Sequence, residues 1–335
     1  MAIKLPLLSI LLLFLSSPLF PAASAGRCNS DDKKALLAIK AAFNNAYHFA
    51  SWVPSAACCD WYDVDCDPST GRVTGLSIFQ DANITGTIPA AIADLPYLTN
   101  LLLHHLPGLT GPIPSALSRL HRIQLFRISF TSISGPVPSW LSTLPSLSII
   151  DLSFNSLSGS IPPSLSLLPG LLALHLDRNH LSGSIPDSFG SFPKSSPPPD
   201  LYLSHNNLSG PIPASLGGPT WGIVDLSRNH LTGDASFLLG SNKPITQLDL
   251  SRNRLSFDLS KVSFPVNLTS LDLNHNGITG SIPAQINQVT GLVLFNVSYN
   301  RLCGEIPAGL VTARFSQYEY FHNKCLCGTP LAACK

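Results

Sequence analysis

Three aspartates, Asp225, Asp249 and Asp272, recur at intervals of 24 and 23 residues, each inside a Val-Asp-Leu or Leu-Asp-Leu triplet. Equivalent positions on neighbouring strands lie about 4.8 Å apart. That is close to the roughly 5 Å between the two carboxyl groups of a retaining glycosidase. Such an enzyme also needs a cleft that wraps the sugar and buries one carboxyl enough to raise its pKa. Here the aspartates have small neighbours and an open setting, so the sequence speaks against catalysis. The same carboxylates suit pairing with basic groups at the mouth of an enzyme that holds an anionic polysaccharide.

Cysteine is the other chemistry-bearing residue. Cys28, Cys58, Cys59 and Cys66 lie near the start, Cys303, Cys325, Cys327 and Cys334 near the end, and none lies between 67 and 302. Each group of four allows three connectivities. Sequential pairing is expected, Cys28–Cys58, Cys59–Cys66, Cys303–Cys325 and Cys327–Cys334, because adjacent cysteines such as Cys58 and Cys59 rarely bridge. A zinc site at Cys325 and Cys327 with His322 is the alternative, disfavoured by the unusual ligand spacing. No metal and no cofactor is expected.

Between the cysteine groups runs a repeat. Asn155, Asn179, Asn206, Asn229, Asn253, Asn276 and Asn300 follow one another at 24, 27, 23, 24, 23 and 24 residues, in the frame L-x-L-x-x-N-x-L or a close variant. Ile150 and Leu152 alternate with Asp151 and Ser153, the period of a short strand with one buried face. Asn155 then turns inward to satisfy backbone groups, Gly159 permits a turn, and Pro162 stops the ladder. Leu165, Leu168 and Leu171 fill the far side of the coil. Units of about 24 residues with this pattern are leucine-rich repeats, which bury their apolar side chains only by stacking.

Ten repeats are expected, with strands near 76–78, 101–103, 126–128, 150–152, 174–176, 201–203, 224–226, 248–250, 271–273 and 295–297. The fold class is an α/β solenoid with a concave parallel β-sheet and disulfide-bonded caps. Residues 1–25 read as a secretory signal: Lys4, an apolar run at 7–15 and the small-residue site Ala23-Ser24-Ala25. Residues 26–72 form an N-terminal cap, 73–310 the repeats and 311–335 a C-terminal cap. In the first cap, residues 30–43 read as a helix capped by Ser30, with Asp31 and Asp32 at its positive end and Trp52, Trp61 and Tyr62 over the first repeat. A proline-rich insertion at 194–199 is expected to bulge from the convex side. Only 12% of residues are charged and the net charge is +1. That balance argues against nucleic acid or an anionic membrane as partner, and the absence of a later apolar span argues against membrane insertion.

The outward strand positions form columns. The middle one holds Ser77, Leu102, Arg127, Asp151, His175, Tyr202, Asp225, Asp249, Asp272 and Asn296. The next holds Ser153 and Asp177 among mostly serines, and the edge holds Gln80, His105, Phe130, Phe154, Arg178, His205, Arg228, Arg252, His275 and Tyr299. Aromatics, arginines and an acidic stripe on one rigid wall compose a protein-binding face. A merely solvated face is the alternative, which Phe79, Phe130, Phe154, Tyr202 and Tyr299 on one side oppose.

The chain resembles the plant polygalacturonase-inhibiting proteins over nearly all of 27–335. The resemblance rests on the ten repeats, the paired Cys58-Cys59, the irregular Gly233-Asp-Ala-Ser and the closing run from Asn323 to Cys334. It implies a right-handed superhelix in the plant cell wall or apoplast that blocks endopolygalacturonases of fungi or insects, in defence. Carried over by position, the contacts are Asp151, Ser153, Leu172, His175, Asp177, Asp200 and Asp225, and the acidic and aromatic columns add Tyr202, Asp249 and Asp272. His175 and Asp200 stand where smaller hydroxyl residues can occur. Cell-wall pectin is a further partner to weigh, for which the concave arginines are scattered; a monomer is expected. The alternative is an extracellular repeat protein of receptor signalling or development without inhibitory activity. Four sequons occur, at Asn83, Asn207, Asn267 and Asn296. The first three are expected in loops, and Asn296 in the last concave strand.

Overall fold

A computed structural model of the chain describes residues 28–193 and 197–335. The leader at 1–25 and residues 194–196 of the proline-rich insertion lie outside the described residues.

Ten strands stack in parallel and in register: Val73–Phe79, Asn100–Gly111, Leu125–Pro136, Ile149–Asp151, Ala173–His175, Asp200–Tyr202, Ile223–Asp225, Gln247–Asp249, Ser270–Asp272 and Leu294–Asn296. They start one to three residues earlier than the leucine pattern suggests. Inward leucines such as Leu152, Leu157, Leu165 and Leu174 are buried, and each coil closes over the next in one continuous core. The convex side of most coils is a short 3-10 turn that begins after a proline, as at Pro163–Leu167 and Ala284–Gln288. Proline fixes φ at the turn entrance and offers no N–H that would need a partner there.

The asparagines hold coil to coil. Asn179 donates Nδ2 to the carbonyls of Leu152 and Leu176, at 2.9 and 3.1 Å, and its Oδ1 accepts from Leu157 N–H at 2.9 Å. One side chain thereby satisfies three backbone groups on two successive coils, groups that water could not reach. The same bonding recurs down to Asn300 and then once more at Asn323. There Nδ2 donates to Val297 and Tyr320 carbonyls, and Oδ1 accepts from Leu302 N–H. The C-terminal cap thus contains a degenerate further rung. Upstream of Asn155 the ladder position is Thr131 or Leu106, which have no amide. The strands Asn100–Gly111 and Leu125–Pro136 accordingly run on, with Leu106 paired to Thr131, and join the concave ladder to a second one. That second ladder continues through Ser156–Gly159, His180–Gly183, Asn207–Pro211, His230–Gly233 and Arg254–Leu255.

Both open ends are covered. Strand Val64–Cys66 pairs antiparallel with Val73–Phe79, so the first repeat presents no bare edge. At the other end Val297 and Tyr299 N–H donate to carbonyls of Glu319 and Phe321. The helix Ser30–Ala42 is capped by Asn29 rather than Ser30, its Oδ1 accepting from Asp31 and Asp32 N–H. Asp32 sits in the first helical turn as expected and is fully buried there. It takes Arg72 in a two-point ion pair at 3.0 and 2.6 Å and accepts from Val73 N–H at 2.8 Å, which fastens cap to first strand. Trp52 and Trp61 are buried over that strand, whereas Tyr62 is exposed. Disulfides join Cys28–Cys58, Cys59–Cys66, Cys303–Cys325 and Cys327–Cys334. Cys325 and Cys327 are consumed by bridges, which closes the zinc alternative.

Candidate functional site

The concave sheet brings the middle column into one row. Arg127 registers with Asp151, Asp151 with His175, His175 with Tyr202, and Asp225, Asp249 and Asp272 follow on consecutive strands. Each carboxylate is oriented by the residue two positions on. Ser227 N–H and Oγ–H donate to Asp225 Oδ1 at 3.0 and 2.7 Å. Ser251 N–H donates to Asp249 Oδ1 at 2.9 Å, and Asn274 N–H and Nδ2 donate to Asp272 Oδ1 at 3.0 and 2.6 Å. The same clamp holds Ser153 to Asp151 and Ser298 to Asn296, and the serines of this column, Ser153, Ser204, Ser227, Ser251 and Ser298, are buried under the row instead of forming a surface of their own.

The aspartates are not solvated as an open face would leave them. Burial pushes Asp249 up to about 6, with the charges of Asp225 and Asp272 adding to it against the Ser251 bonds. Burial likewise pushes Asp177 up to about 6, helped by Asp151 and Asp225 and opposed by Arg178. Asp272 is raised too, again mainly by burial. Like-charge crowding between neighbouring strands raises these groups less than desolvation does.

Asp151 departs furthest from expectation. It is 8% exposed. Its Oδ1 accepts from Ser153 N–H and Oγ–H at 3.1 and 2.6 Å, and its Oδ2 lies 2.8 Å from Arg127 Nε. The side chain therefore does not face solvent. His175 stacks on Tyr202 with ring centroids 4.3 Å apart, and burial lowers its pKa. Leu172 is 51% exposed at the sheet margin. Asp200 is half-buried and accepts from Ile223 N–H at 3.2 Å. Asn83 and Asn267 are exposed outside strands, Asn207 is exposed but opens a strand of the second ladder, and Asn296 sits in the last concave strand with Oδ1 accepting from Ser298.

One feature of the site had no signal in residue type. The whole edge column, from Gln80 and His105 through to Tyr299, has φ between 53 and 59°, and His322 in the cap extends it. Non-glycine residues adopt this left-handed conformation at a cost, and recurrent outliers mark functional positions. The side chains stack along the column. Phe130 and Phe154 lie 3.8 Å apart, the Arg178 guanidinium covers Phe154 at 4.8 Å, and Tyr299 sits between His275 and His322 at 4.0 and 4.3 Å.

A parallel solenoid of stacked coils with capped ends and a concave wall of carboxylates and stacked rings is a leucine-rich-repeat protein. Residues 29–67 match the leucine rich repeat N-terminal domain family, and 146–168, 170–192, 200–219 and 267–289 match the leucine rich repeat family. The chain is 60% identical to polygalacturonase inhibitor 1 of Arabidopsis thaliana, covering 98% of each protein. It is 58% identical to the polygalacturonase inhibitor of Pyrus communis, again covering 98% of each. Among solved structures, a plant ice-binding protein superposes with a TM-score of 0.90 at 49% identity, over 92% of this chain and 99% of the other. The chain belongs to the polygalacturonase-inhibitor family of leucine-rich-repeat proteins. The Arabidopsis thaliana and Pyrus communis relatives are both named as inhibitors rather than as enzymes. Among the described residues no helix is long and apolar enough to cross a membrane.

Proposed function

We propose that this protein is secreted to the plant cell wall, where it binds endopolygalacturonases of fungi or insects as a monomer and blocks pectin cleavage in defence. The structural observation that carries the reading is the row Asp225, Asp249 and Asp272. Each has Oδ1 clamped from within, which leaves Oδ2 for a partner. An enzyme that binds an anionic polysaccharide lines its cleft with cations, and a rigid row of carboxylates complements that cleft. Orientation is fixed before binding, so little side-chain freedom is lost in the complex. Asp177, His175, Tyr202, Asp200 and Leu172 widen the contact on the N-terminal side of the row, with Ser153 acting from beneath. Pectin itself would engage the edge arginines Arg178, Arg228 and Arg252. The test is a panel of purified fungal and insect polygalacturonases assayed with the secreted protein. Inhibition of at least one at 1:1 stoichiometry is expected, and none across a broad panel would sink the reading.

The ice-binding neighbour suggests a second reading, for the second ladder. Ser134 registers with Ser156 there and Thr87 with Thr110, giving small hydroxyl residues at strand spacing. His180, His230 and Arg254 interrupt that array, so the inhibitor reading stands first. An ice-recrystallisation assay separates the two.

A further inference from the structure

Arg127 is the only permanent cation in the middle column of the concave face. Its Nε lies 2.8 Å from Asp151 Oδ2, and among the described residues no second protein group pairs with the guanidinium. The two side chains differ in access: Arg127 is 38% exposed and Asp151 11%. Ser153 donates to Asp151 Oδ1 and Oδ2 faces Arg127 Nε in an ion pair, so both carboxylate oxygens are already engaged within the protein. A guanidinium is a planar fork of five N–H donors. Held at Nε by a buried carboxylate, it keeps its outer edge for a second anion, in the bidentate geometry that carboxylates fit. Its neighbours in the column are Leu102 on one side and Asp151 on the other, and the apolar side strengthens a charge pair once water is excluded.

We infer that Arg127 is a contact residue for a carboxylate in the cleft of the inhibited enzyme, and that Asp151 is a positioning residue that aims it. This deepens the inhibitor reading and rests on it. A polysaccharide hydrolase carries paired carboxyl groups at its scissile position and cations along its substrate subsites. The concave face carries the opposite arrangement. Arg127 stands four strands from Asp225, about 19 Å at the usual strand spacing, and the acidic row begins there. A cleft laid along the sheet would meet a cation at one end and carboxylates at the other. Asp151 therefore contributes to binding without touching the partner.

The experiment uses the whole secreted protein and the polygalacturonase it inhibits best, with Ki measured across ionic strength. The variants are Arg127→Lys, Asp151→Asn and the neutral pair Arg127→Gln/Asp151→Asn. The pair leaves no uncompensated buried charge, Asn keeps the shape of the buried aspartate, and the shortened residue 127 is part exposed, so its melting temperature should stay close to the parent's. The neutral pair should raise Ki at least 10-fold and flatten the salt dependence. Arg127→Lys should recover only part of the loss, since a point charge cannot replace the fork. Asp151→Asn should raise Ki less than the neutral pair and keep the salt dependence, because the cation remains. A folded neutral pair that inhibits like the parent overturns the inference and leaves the inhibitor reading standing. Flattening by Asp151→Asn as complete as that of the pair overturns it as well. Binding of free trigalacturonate that the neutral pair loses, with enzyme binding kept, assigns Arg127 to the polysaccharide and overturns it too. A parent that inhibits nothing removes the inhibitor reading and this inference together.

Discussion

Asp225 and Asp249 are register partners on neighbouring strands, and each accepts through Oδ1 from the serine two residues on. Burial and the flanking charges push Asp249 up to about 6 from an ordinary 3.8. A carboxyl whose folded pKa is raised binds its proton more tightly when folded. Its stabilising contribution is complete below about pH 4 and is lost as pH rises through about 6. Asp249→Asn, neutral at all pH, should therefore raise stability at pH 7 by on the order of 1–3 kcal/mol and change it little at pH 4. Thermal unfolding at the two pH values measures this. An equal shift at both would mean that Asp249 ionises as freely in the folded protein as in the unfolded chain.

Asn229 tests the ladder. Nδ2 reaches the carbonyls of Leu203 and Leu226 at 3.0 and 3.1 Å, and Oδ1 accepts from Leu208 N–H at 3.0 Å. Asn229→Ala leaves these groups buried and unpaired, at a cost of about 2–4 kcal/mol. Urea titration should show a lower midpoint. Asn229→Asp should be nearly as harmful, because a carboxylate cannot donate to the two carbonyls. A midpoint within error of the parent's for either variant would mean that water replaces the amide.

The edge column gives a sharper contrast. Arg252 has φ 54°, where glycine has no steric penalty and any Cβ does. Arg252→Gly should be more stable than Arg252→Ala by about 1 kcal/mol, the reverse of the order in a helix. Comparing two truncations removes the guanidinium from both, so the difference reports the strain of a Cβ at positive φ less the extra chain entropy that glycine loses on folding. A glycine variant less stable than the alanine variant would show that the strain is smaller than that entropy.

Where the sequence was legible, it was because one residue had one job. The asparagine column has a single side chain that can donate to two carbonyls and accept from an N–H, so its spacing exposed the coil. The edge column hides its shared backbone because glutamine, histidine, phenylalanine, arginine and tyrosine have no common chemistry, and glycine, the usual sign of positive φ, is absent. Asn323 is disguised by the cysteines around it. The burial of Asp151 depends on Arg127, 24 residues earlier, and on a serine whose orientation only the coil fixes. The exposure of a charged strand residue is thus set by its neighbour across the sheet, which an alternation pattern cannot display.

The cap supplies the last prediction. Asp32 stands in the first turn of the helix, where the sequence places it, and is also fully buried, bound to Arg72 at two points and to the first N–H of strand Val73–Phe79. Removing one member of such a pair strands the other charge, which costs about 3–5 kcal/mol. Asp32→Ala should therefore loosen the cap from the first repeat even though Cys28–Cys58 still closes its loop. In a solenoid each unit is stabilised chiefly by its neighbours. The loss should then appear as faster amide exchange in residues 64–79 and leave the Asn229 and Asn253 rungs protected. Arg72→Met with Asp32→Leu, which removes both charges, should recover much of the stability in chemical denaturation. Uniform acceleration of exchange along all ten repeats would mean that the cap and the repeats unfold as one unit and that the ion pair has no local role.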